Sequence, residues 1–344
     1  MSEWVPDVLG AEFEQKTLPL GEDDEGELVA TLVRALPAPR TLWQWLRRAP
    51  RPLDGVDVLY VHGWSDYFFQ RRLARFWTAR GARFFALDLR KYGRSLRPGQ
   101  SPGYVAQLSD YDEDIAAALA EMGHDLASDA ASTPGRSARR LVLLGHSTGG
   151  LVLSLWAHRH PGVADALVLN SPWLELQLAG FAREALVAPI LSLRARWHPR
   201  DAAPQLDAGY YMRAVEEAAD PDDPMEINPE WRPPHSMPIT AGWLKAVVEG
   251  HAQVAAGLAV TAPVCVLLSA RSTVPIRWSD ELTSVDSVLV VDDIARAALK
   301  IGPSVTIERI DGALHDVFLS RRAARDDAYA RLDRWITGWA ATTR

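Results

Sequence analysis

Residues 140–151 read Arg-Leu-Val-Leu-Leu-Gly-His-Ser-Thr-Gly-Gly-Leu, and this stretch decides how the rest of the chain is interpreted. The pattern Gly145-x-Ser147-x-Gly149 follows an apolar run and opens a segment with helical character. A serine at a sharp strand-to-helix turn takes up a strained backbone, and flanking glycines remove side chains that would collide there. The stretch therefore predicts a nucleophilic serine, Ser147, at such a turn.

Short apolar runs alternate with helical patterns on both sides of this motif. Repeated strand–helix–strand units of this kind predict a mostly parallel sheet with helices on both faces. The predicted strands are 56–61, 82–87, 140–145, 166–170, 263–269 and 304–310. The predicted helices are 70–80, 111–122, 151–160, one beginning near 292, and 321–339.

Two regions depart from this alternation. Residues 13–20 and 27–36 flank an acidic, glycine-bounded turn, which predicts an antiparallel N-terminal hairpin. From 172 to about 260 no strand pattern is evident, and helical patterns occur near 178–186 and 210–219. We therefore expect a core in two parts, 1–171 and 242–344, interrupted by a helical cap at 172–241. A polar stretch at 123–139 is predicted to be a surface loop.

Charge and cysteine content exclude several classes of protein. The 37 basic and 44 acidic side chains leave a net charge of −7, which repels nucleic acids. The single cysteine, Cys265, excludes an internal disulfide and a multi-cysteine metal site, and no histidine-rich ligand motif is present. The N-terminus lacks a signal-peptide pattern, and no apolar stretch is long enough for a transmembrane segment. A cytoplasmic protein without metal is expected.

A nucleophilic serine requires a general base and a carboxylate to orient that base, and after a serine at this kind of strand-to-helix turn the acid and then the histidine follow in chain order. Of nine histidines, only His315 follows the last predicted strand and precedes the last helix. The carboxylate is expected between the strand 263–269 and the helix near 292. Five residues qualify by position: Asp280, Glu281, Asp286, Asp292 and Asp293. Of these, Asp292 and Asp293 fit better as the cap and first turn of the following helix.

The oxyanion formed during acyl transfer needs two backbone N–H donors. One is expected from the residue after the nucleophile, Thr148, and the other from a loop after an earlier strand. His62-Gly63-Trp64 follows the strand 56–61, so the amide of Trp64 is the predicted second donor.

Taken together, four motifs resemble α/β-hydrolase fold serine hydrolases, most closely the monoacylglycerol lipase and lysophospholipase branch. They are His62-Gly-Trp, the stretch Asp88-Leu-Arg-Lys-Tyr-Gly-Arg-Ser95, Gly145-His-Ser-Thr-Gly-Gly150 and Gly312-Ala-Leu-His315. The resemblance implies an enzyme without a bound cofactor that cleaves carboxylic esters through an acyl-enzyme. It also implies Asp286 as the acid, because Asp286-Ser-Val-Leu resembles the segment that supplies it in this branch. Asp280 is the second candidate.

The substrate is less sharply indicated. Four tryptophans near or within the predicted cap suggest a small-molecule ester with an apolar acyl group, although packing of the cap explains them equally well: Trp173, Trp197, Trp231 and Trp243. An aminopeptidase or amidase with the same triad would need a cap carboxylate for the α-amino group. The available ones are Glu175, Glu184, Glu216 and Glu217. A catalytically silent binding protein is a further alternative.

Exchanging each of the two leading candidates, Asp286 and Asp280, for asparagine tests the assignment of the acid. Asp286→Asn should lower kcat by orders of magnitude with the fold intact, because the amide cannot stabilise a histidinium. Asp280→Asn should retain most activity. Steady-state kinetics on one ester substrate, with circular dichroism as the folding control, measures both, and the reverse result would make Asp280 the acid.

Overall fold

A single sheet organises the computed structural model, which describes residues 3–37, 50–124, 139–176, 196–203 and 207–342. Its strands in those residues are β1 (Val5–Pro6), β2 (Phe13–Asp23), β3 (Gly26–Ala35), β4 (Val56–Val61), β5 (Arg83–Asp88), β6 (Arg140–His146), β7 (Ala166–Asn170), β8 (Val264–Ser269) and β9 (Val305–Ile310). Their order across the sheet is β1-β2-β3-β5-β4-β6-β7-β8-β9. Neighbours among the first four strands in this order, β1, β2, β3 and β5, pair antiparallel. All later neighbours in the order, from β5–β4 to β8–β9, pair parallel. The predicted mostly parallel sheet and the N-terminal hairpin are both present.

Helices cover both faces of this sheet. They are α1 (Arg71–Ala79), α2 (Tyr111–Met122), α3 (Thr148–Arg159), α4 (Tyr210–Ala218), α5 (Ala241–Ala256), α6 (Val291–Ala298) and α7 (Arg322–Thr342). In the central strand β4, Val58 and Tyr60 pack into the same apolar layer as α1 and α7. Leu59 and Val61 pack into the opposite layer with α2, α3, α5 and α6. Because both faces are buried, the central strands read as continuous apolar runs in the sequence.

The structure adds one helix that the sequence analysis did not identify, α5. Its N-terminus is capped by Thr240, whose hydroxyl oxygen accepts a hydrogen bond from the Trp243 amide at 3.4 Å. Trp243 and Val247 are buried in the core, and Gly250 lies against Leu108. The buried residues of α5 recur at helical spacing, but alanine and glycine fill many of its positions, and these small residues give the sequence little contrast between an apolar and a polar face.

The chain between β7 and β8 leaves the sheet and returns to the neighbouring position, because these two strands pair directly. The described residues of 172–241 contribute helix α4 and an isolated bridge between Ala202 and Thr240, and they add no strand to the sheet. The helix predicted near 178–186 lies outside the described residues, as does most of the loop predicted at 123–139. The cap boundaries at 172 and 241 stay predictions.

The acidic turn of the N-terminal hairpin is an attachment point for distant parts of the chain. The Lys91 ammonium, itself buried, donates to the carboxylates of Asp23 at 2.6 Å and Glu25 at 2.5 Å. The guanidinium of Arg200, in the segment between β7 and β8, lies 2.5 Å from Asp24 and 3.1 Å from Glu25. The hairpin therefore helps to hold that segment over the core.

The described residues contain neither a membrane-spanning helix nor a cluster of metal ligands. No helix among them is long and apolar enough to span a membrane. None of their His, Cys, Asp and Glu side chains form a cluster of three or more suited to holding a metal ion.

Candidate active site

Ser147 occupies a strained turn between β6 and α3. Its φ of 50° and ψ of −117° lie outside the regions that L-residues usually adopt. The turn is tight enough to exclude side chains at the flanking glycines. A Cβ on Gly149 would lie 2.4 Å from the carbonyl oxygens of Val61 and His62, and one on Gly145 would lie 2.7 Å from the Gly149 oxygen. Gly149 is therefore required for the close approach of this turn to β4, and Gly145 for the close packing of the end of β6 against the start of α3.

The structure brings the three predicted triad residues together. Ser147 Oγ lies 3.0 Å from His315 Nε2, and His315 Nδ1 lies 3.0 Å from Asp286 Oδ2. The other carboxylate oxygen of Asp286 accepts hydrogen bonds from the amides of Val288 and Leu289, both at 2.8 Å. Asp286 is fully buried and His315 nearly so. This arrangement can relay a proton between serine and histidine while a fixed carboxylate faces the far side of the imidazole.

Asp286 lies on a loop that folds back beside the end of β8. The Asp286 amide donates to the Arg271 oxygen at 3.0 Å, and the Asp286 oxygen accepts from the Thr273 amide at 2.9 Å. Asp286 also forms a parallel bridge with Ser272. The acid therefore lies beside the carboxyl end of β8, although fifteen or more residues separate it from that strand.

The other acid candidates lie elsewhere. Asp280 is exposed at the start of a short 3-10 helix, Asp280–Thr283, and Glu281 follows it in that helix. Asp292 and Asp293 both fall in the first turn of α6. The expectation that Asp292 caps this helix was wrong, because the helix begins one residue earlier and Val290 is the cap.

Two residues missed by the sequence analysis fix the loop that carries His315. Asp316 is fully buried, and its carboxylate accepts from Asn170 Nδ2 at 2.7 Å and from Gln70 Nε2 at 2.6 Å. The Asn170 backbone oxygen accepts from the Ser147 amide at 3.0 Å. Asn170 therefore connects the serine turn to the histidine loop, and its position at the carboxyl end of β7 was the available signal.

The two predicted oxyanion donors lie at the ends of adjacent strands. Thr148 follows the nucleophile, and Trp64 follows β4, whose neighbour in the sheet is β6. A Cβ on Gly63 would lie 3.0 Å from Ser147 Cβ, so the Gly63–Trp64 turn packs directly against the serine. Within the described part of the chain, neither the Trp64 nor the Thr148 amide has a hydrogen-bond acceptor. Both amides are thus available to a ligand at Ser147.

The surroundings of two histidines beside the site favour the neutral imidazole. Burial lowers the pKa of His62 and that of His146. His62 Nε2 accepts from the Leu89 amide at 3.1 Å, and its Nδ1 lies 2.8 Å from the Gly63 oxygen. These contacts leave His62 to shape the Gly63–Trp64 turn rather than to exchange protons.

A cavity of about 880 Å³ opens onto Ser147 and His315. Its wall combines core loops with two stretches of the segment between β7 and β8, residues 207–212 and 232–239. Much of the lining is apolar, including Trp64, Trp173, Leu176, Met212, Ile239 and Val288. The Trp64 ring packs on Trp243 with 3.9 Å between ring centroids. The cavity therefore suits an apolar group next to the serine.

Not all of the tryptophans that suggested an apolar pocket reach it. Trp173 lines the cavity. Trp243 is buried behind Trp64, Trp231 packs against Tyr67, and Trp197 is 67% exposed. The apolar wall thus depends on Trp173 and Trp64 more than on the other three.

Few charged groups face the cavity among the described residues. Burial raises the pKa of Asp66 against the opposing effect of Arg232, whose Nε lies 3.2 Å from Asp66 Oδ1. The Asp207 carboxylate accepts from Ser236 and from the Gly209 amide, and these bonds lower its pKa although burial opposes them. Both carboxylates already have partners in the protein.

Comparison with known proteins gives consistent results. The family model described as serine aminopeptidase, S33, matches residues 56–320. The monoacylglycerol lipase of Mycolicibacterium smegmatis is 27% identical over 268 residues, which cover 77% of this chain and 82% of that protein. Lysophospholipase L2 of Escherichia coli K12 is 36% identical over 88 residues, covering 25% of this chain and 23% of that protein.

Similarity also extends to solved structures. A soluble variant of the monoglyceride lipase from Saccharomyces cerevisiae, in complex with a substrate analogue, superposes with a TM-score of 0.60. The two chains share 15% sequence identity, and the match covers 98% of this chain and 99% of that one. This likeness confirms the predicted α/β-hydrolase fold.

Adding one methyl group at Gly149 tests the packing of the serine turn. Gly149→Ala should destabilise the fold by about 1–3 kcal/mol or more, since the new Cβ meets two backbone carbonyls that cannot yield cheaply. Gly338→Ala is the matched control, because Gly338 lies exposed in α7 with open space around it. That change should stabilise by roughly 0.5–1 kcal/mol. Urea unfolding measures both, and equal effects at the two positions would contradict the packing described here.

Proposed function

This chain belongs to the serine aminopeptidase S33 family of hydrolases, and from that premise we propose that it cleaves carboxylic esters through an acyl-enzyme on Ser147. The observation that carries the proposal is the pair of 3.0 Å contacts linking Ser147, His315 and Asp286. The acyl group is proposed to be apolar, in keeping with the lining of the cavity. No cofactor or metal takes part in the proposed reaction.

The proposed acylation step uses His315 as general base. His315 Nε2 removes the Ser147 hydroxyl proton as the serine oxygen attacks the ester carbonyl, and Asp286 holds the imidazole and stabilises its charged form. The amides of Trp64 and Thr148 donate to the oxyanion of the tetrahedral intermediate. Each such donor typically contributes about 2.7–4 kcal/mol to transition-state stabilisation. Protonated His315 then gives its proton to the departing alcohol.

Deacylation repeats the same steps with water. His315 removes a proton from water as the water attacks the acyl carbonyl, and the two amides again hold the oxyanion. Collapse of this intermediate returns the proton to Ser147 and releases the carboxylic acid. Every proton transfer passes through the single imidazole, so the spacing of Ser147 and His315 matters in both halves of the reaction.

An aminopeptidase is the alternative that the family name raises, and the cavity supports it less. Holding an α-ammonium group requires a carboxylate that is free to pair with it. The cavity carboxylates of the described residues, Asp66 and Asp207, are engaged by Arg232 and Ser236. Of the carboxylates considered from the sequence, the three that the structure describes do not supply one. Glu216 and Glu217 are exposed, Glu175 does not line the cavity, and Glu184 lies outside the described residues.

A non-catalytic binding role is also less well supported. Such a protein has no need to keep serine, histidine and a buried aspartate in hydrogen-bonding range.

The proposed location is the cytoplasm, as the sequence suggests.

Labelling with a fluorophosphonate tests whether Ser147 is a nucleophile. The probe should modify the native protein at Ser147 and leave Ser147→Ala unmodified, because only an activated serine attacks phosphorus at a useful rate. Peptide mass spectrometry locates the adduct. A folded native protein without an adduct would instead favour the binding role.

A chain-length series tests the proposed substrate class. Hydrolysis of p-nitrophenyl esters from acetate to palmitate should peak at short to medium chains, with poor turnover of palmitate. Aminoacyl p-nitroanilides should be cleaved much more slowly than the best ester. A palmitate optimum would overturn the chain-length expectation, and faster cleavage of the anilides would favour the aminopeptidase.

A further inference from the structure

Residues 232–237 bind the loop that carries the proposed oxyanion donor Trp64. We call these residues the strap. The Met237 amide donates to Ser65 Oγ at 3.0 Å, and Trp64 Nε1 donates to the Met237 oxygen at 3.3 Å. Arg232 Nε lies 3.2 Å from Asp66 Oδ1. Three consecutive loop residues, Trp64 to Asp66, are thus each bound to the strap, which lies more than 160 residues later in the chain.

These contacts are shielded from solvent. Ser65, Asp66, Arg232 and Met237 are all at least nine-tenths buried. Away from water, hydrogen bonds and ion pairs are less screened, and breaking one leaves a polar group without a partner. The strap therefore holds the loop more firmly than the same contacts would at the surface.

The loop itself is strained at Ser65. Its φ of 53° lies in the left-handed region, which a non-glycine residue adopts only when its surroundings impose it. The hydrogen bond from Met237 to the Ser65 hydroxyl is one such constraint. On the core side, Gly63 packs against Ser147, so the Trp64 amide lies between a contact with the nucleophile and a contact with the strap.

We propose that the strap sets the position of the Trp64 amide, which makes Ser65 and Arg232 positioning residues for the oxyanion hole. The inference rests on the proposed ester hydrolysis, because it assigns the Trp64 amide to the oxyanion. Under this proposal, the segment between β7 and β8 does more than line the cavity, because it also holds a group that takes part in catalysis. Oxyanion stabilisation depends steeply on donor position, since the donor acts only where negative charge develops in the transition state.

A purely structural strap would behave differently. If it only fastened the segment between β7 and β8 to the core, its loss would lower stability or raise KM, because that segment lines the cavity. A strap that positions the oxyanion donor affects the transition state more than the bound substrate. The division of an effect between kcat and KM therefore separates the two roles.

Ser65→Ala is the most direct test. It removes the hydroxyl that accepts from Met237 and leaves every triad residue in place. We expect kcat for a p-nitrophenyl ester to fall roughly tenfold while KM changes less than twofold. Affinity for a trifluoromethyl ketone, which forms a tetrahedral adduct with serine, should fall by a similar factor.

Ser95→Ala provides the matched control. Ser95 is buried like Ser65, and its hydroxyl lies away from the cavity, 2.8 Å from the Asp88 oxygen and 3.1 Å from the Thr31 hydroxyl. Ser95→Ala loses both of these buried contacts and should keep native kcat and ketone affinity. Unchanged kcat in Ser65→Ala, or equal losses in the two variants, would overturn the proposal.

Arg232 supplies a second, independent test. Arg232→Gln removes the charge that faces Asp66 and should lower kcat severalfold, whereas Arg232→Lys, which keeps a cation there, should recover part of the loss. Thermal unfolding identifies any variant that is not folded. A rise in KM without a fall in kcat would place Arg232 in substrate binding and contradict the positioning role.

Hydrogen–deuterium exchange keeps the test separate from the proposed function. Peptides covering residues 63–69 should exchange faster in Ser65→Ala than in native protein or Ser95→Ala, whether or not esters are cleaved. Native protein that hydrolyses no ester and takes no fluorophosphonate label would refute the proposed function. Unchanged exchange in Ser65→Ala would refute the strap, even in an active enzyme.

Discussion

The approach of the Ser147 turn to the end of β4 is the constraint on which the site depends. Gly149 can lie against the carbonyls of Val61 and His62 only because it has no side chain, and this contact fixes where α3 begins relative to the sheet. The same approach places Gly63 against Ser147. Nucleophile and proposed oxyanion donors therefore share one rigid contact between adjacent parallel strands. A serine on a freely mobile loop would need to recover this alignment in each catalytic cycle.

Elements with a strong local pattern could be predicted from the sequence. Helix α2 and strand β7 have the predicted bounds, because an amphipathic period and a short apolar run each signal one structure. Helix α3 begins at Thr148, three residues earlier than predicted, because glycines weaken the helical pattern there. In the folded chain Gly149 packs against the end of β4 and Gly150 against Pro172, and no local pattern reveals these contacts.

Residues of the candidate site could be selected from the sequence where chain order restricts the choice, but not where contacts between distant parts of the chain decide the position. His315 is the single histidine between the last predicted strand and the last predicted helix. In contrast, five carboxylates lie in the interval predicted for the acid. Choosing among the five from the residues alone would require knowing that the loop folds back so that Asp286 pairs with Ser272 beside β8. Asp316, Asn170 and the strap act through partners more than 100 residues away. Contacts between residues so far apart in the chain produce no regular spacing in the sequence from which they could be predicted.

The direct pairing of β7 with β8 has a consequence for how this architecture can change. The segment between them leaves the carboxyl end of β7 and re-enters the sheet at the amino end of β8, so its two ends keep a fixed separation whatever its length. Closing a loop between fixed ends costs only about 0.6 kcal/mol more for each doubling of length, so the sheet tolerates replacement of the segment at small entropic cost. If the strap positions Trp64, that freedom has a limit. A replacement of any length must still bring a backbone donor to Ser65 and a cation to Asp66.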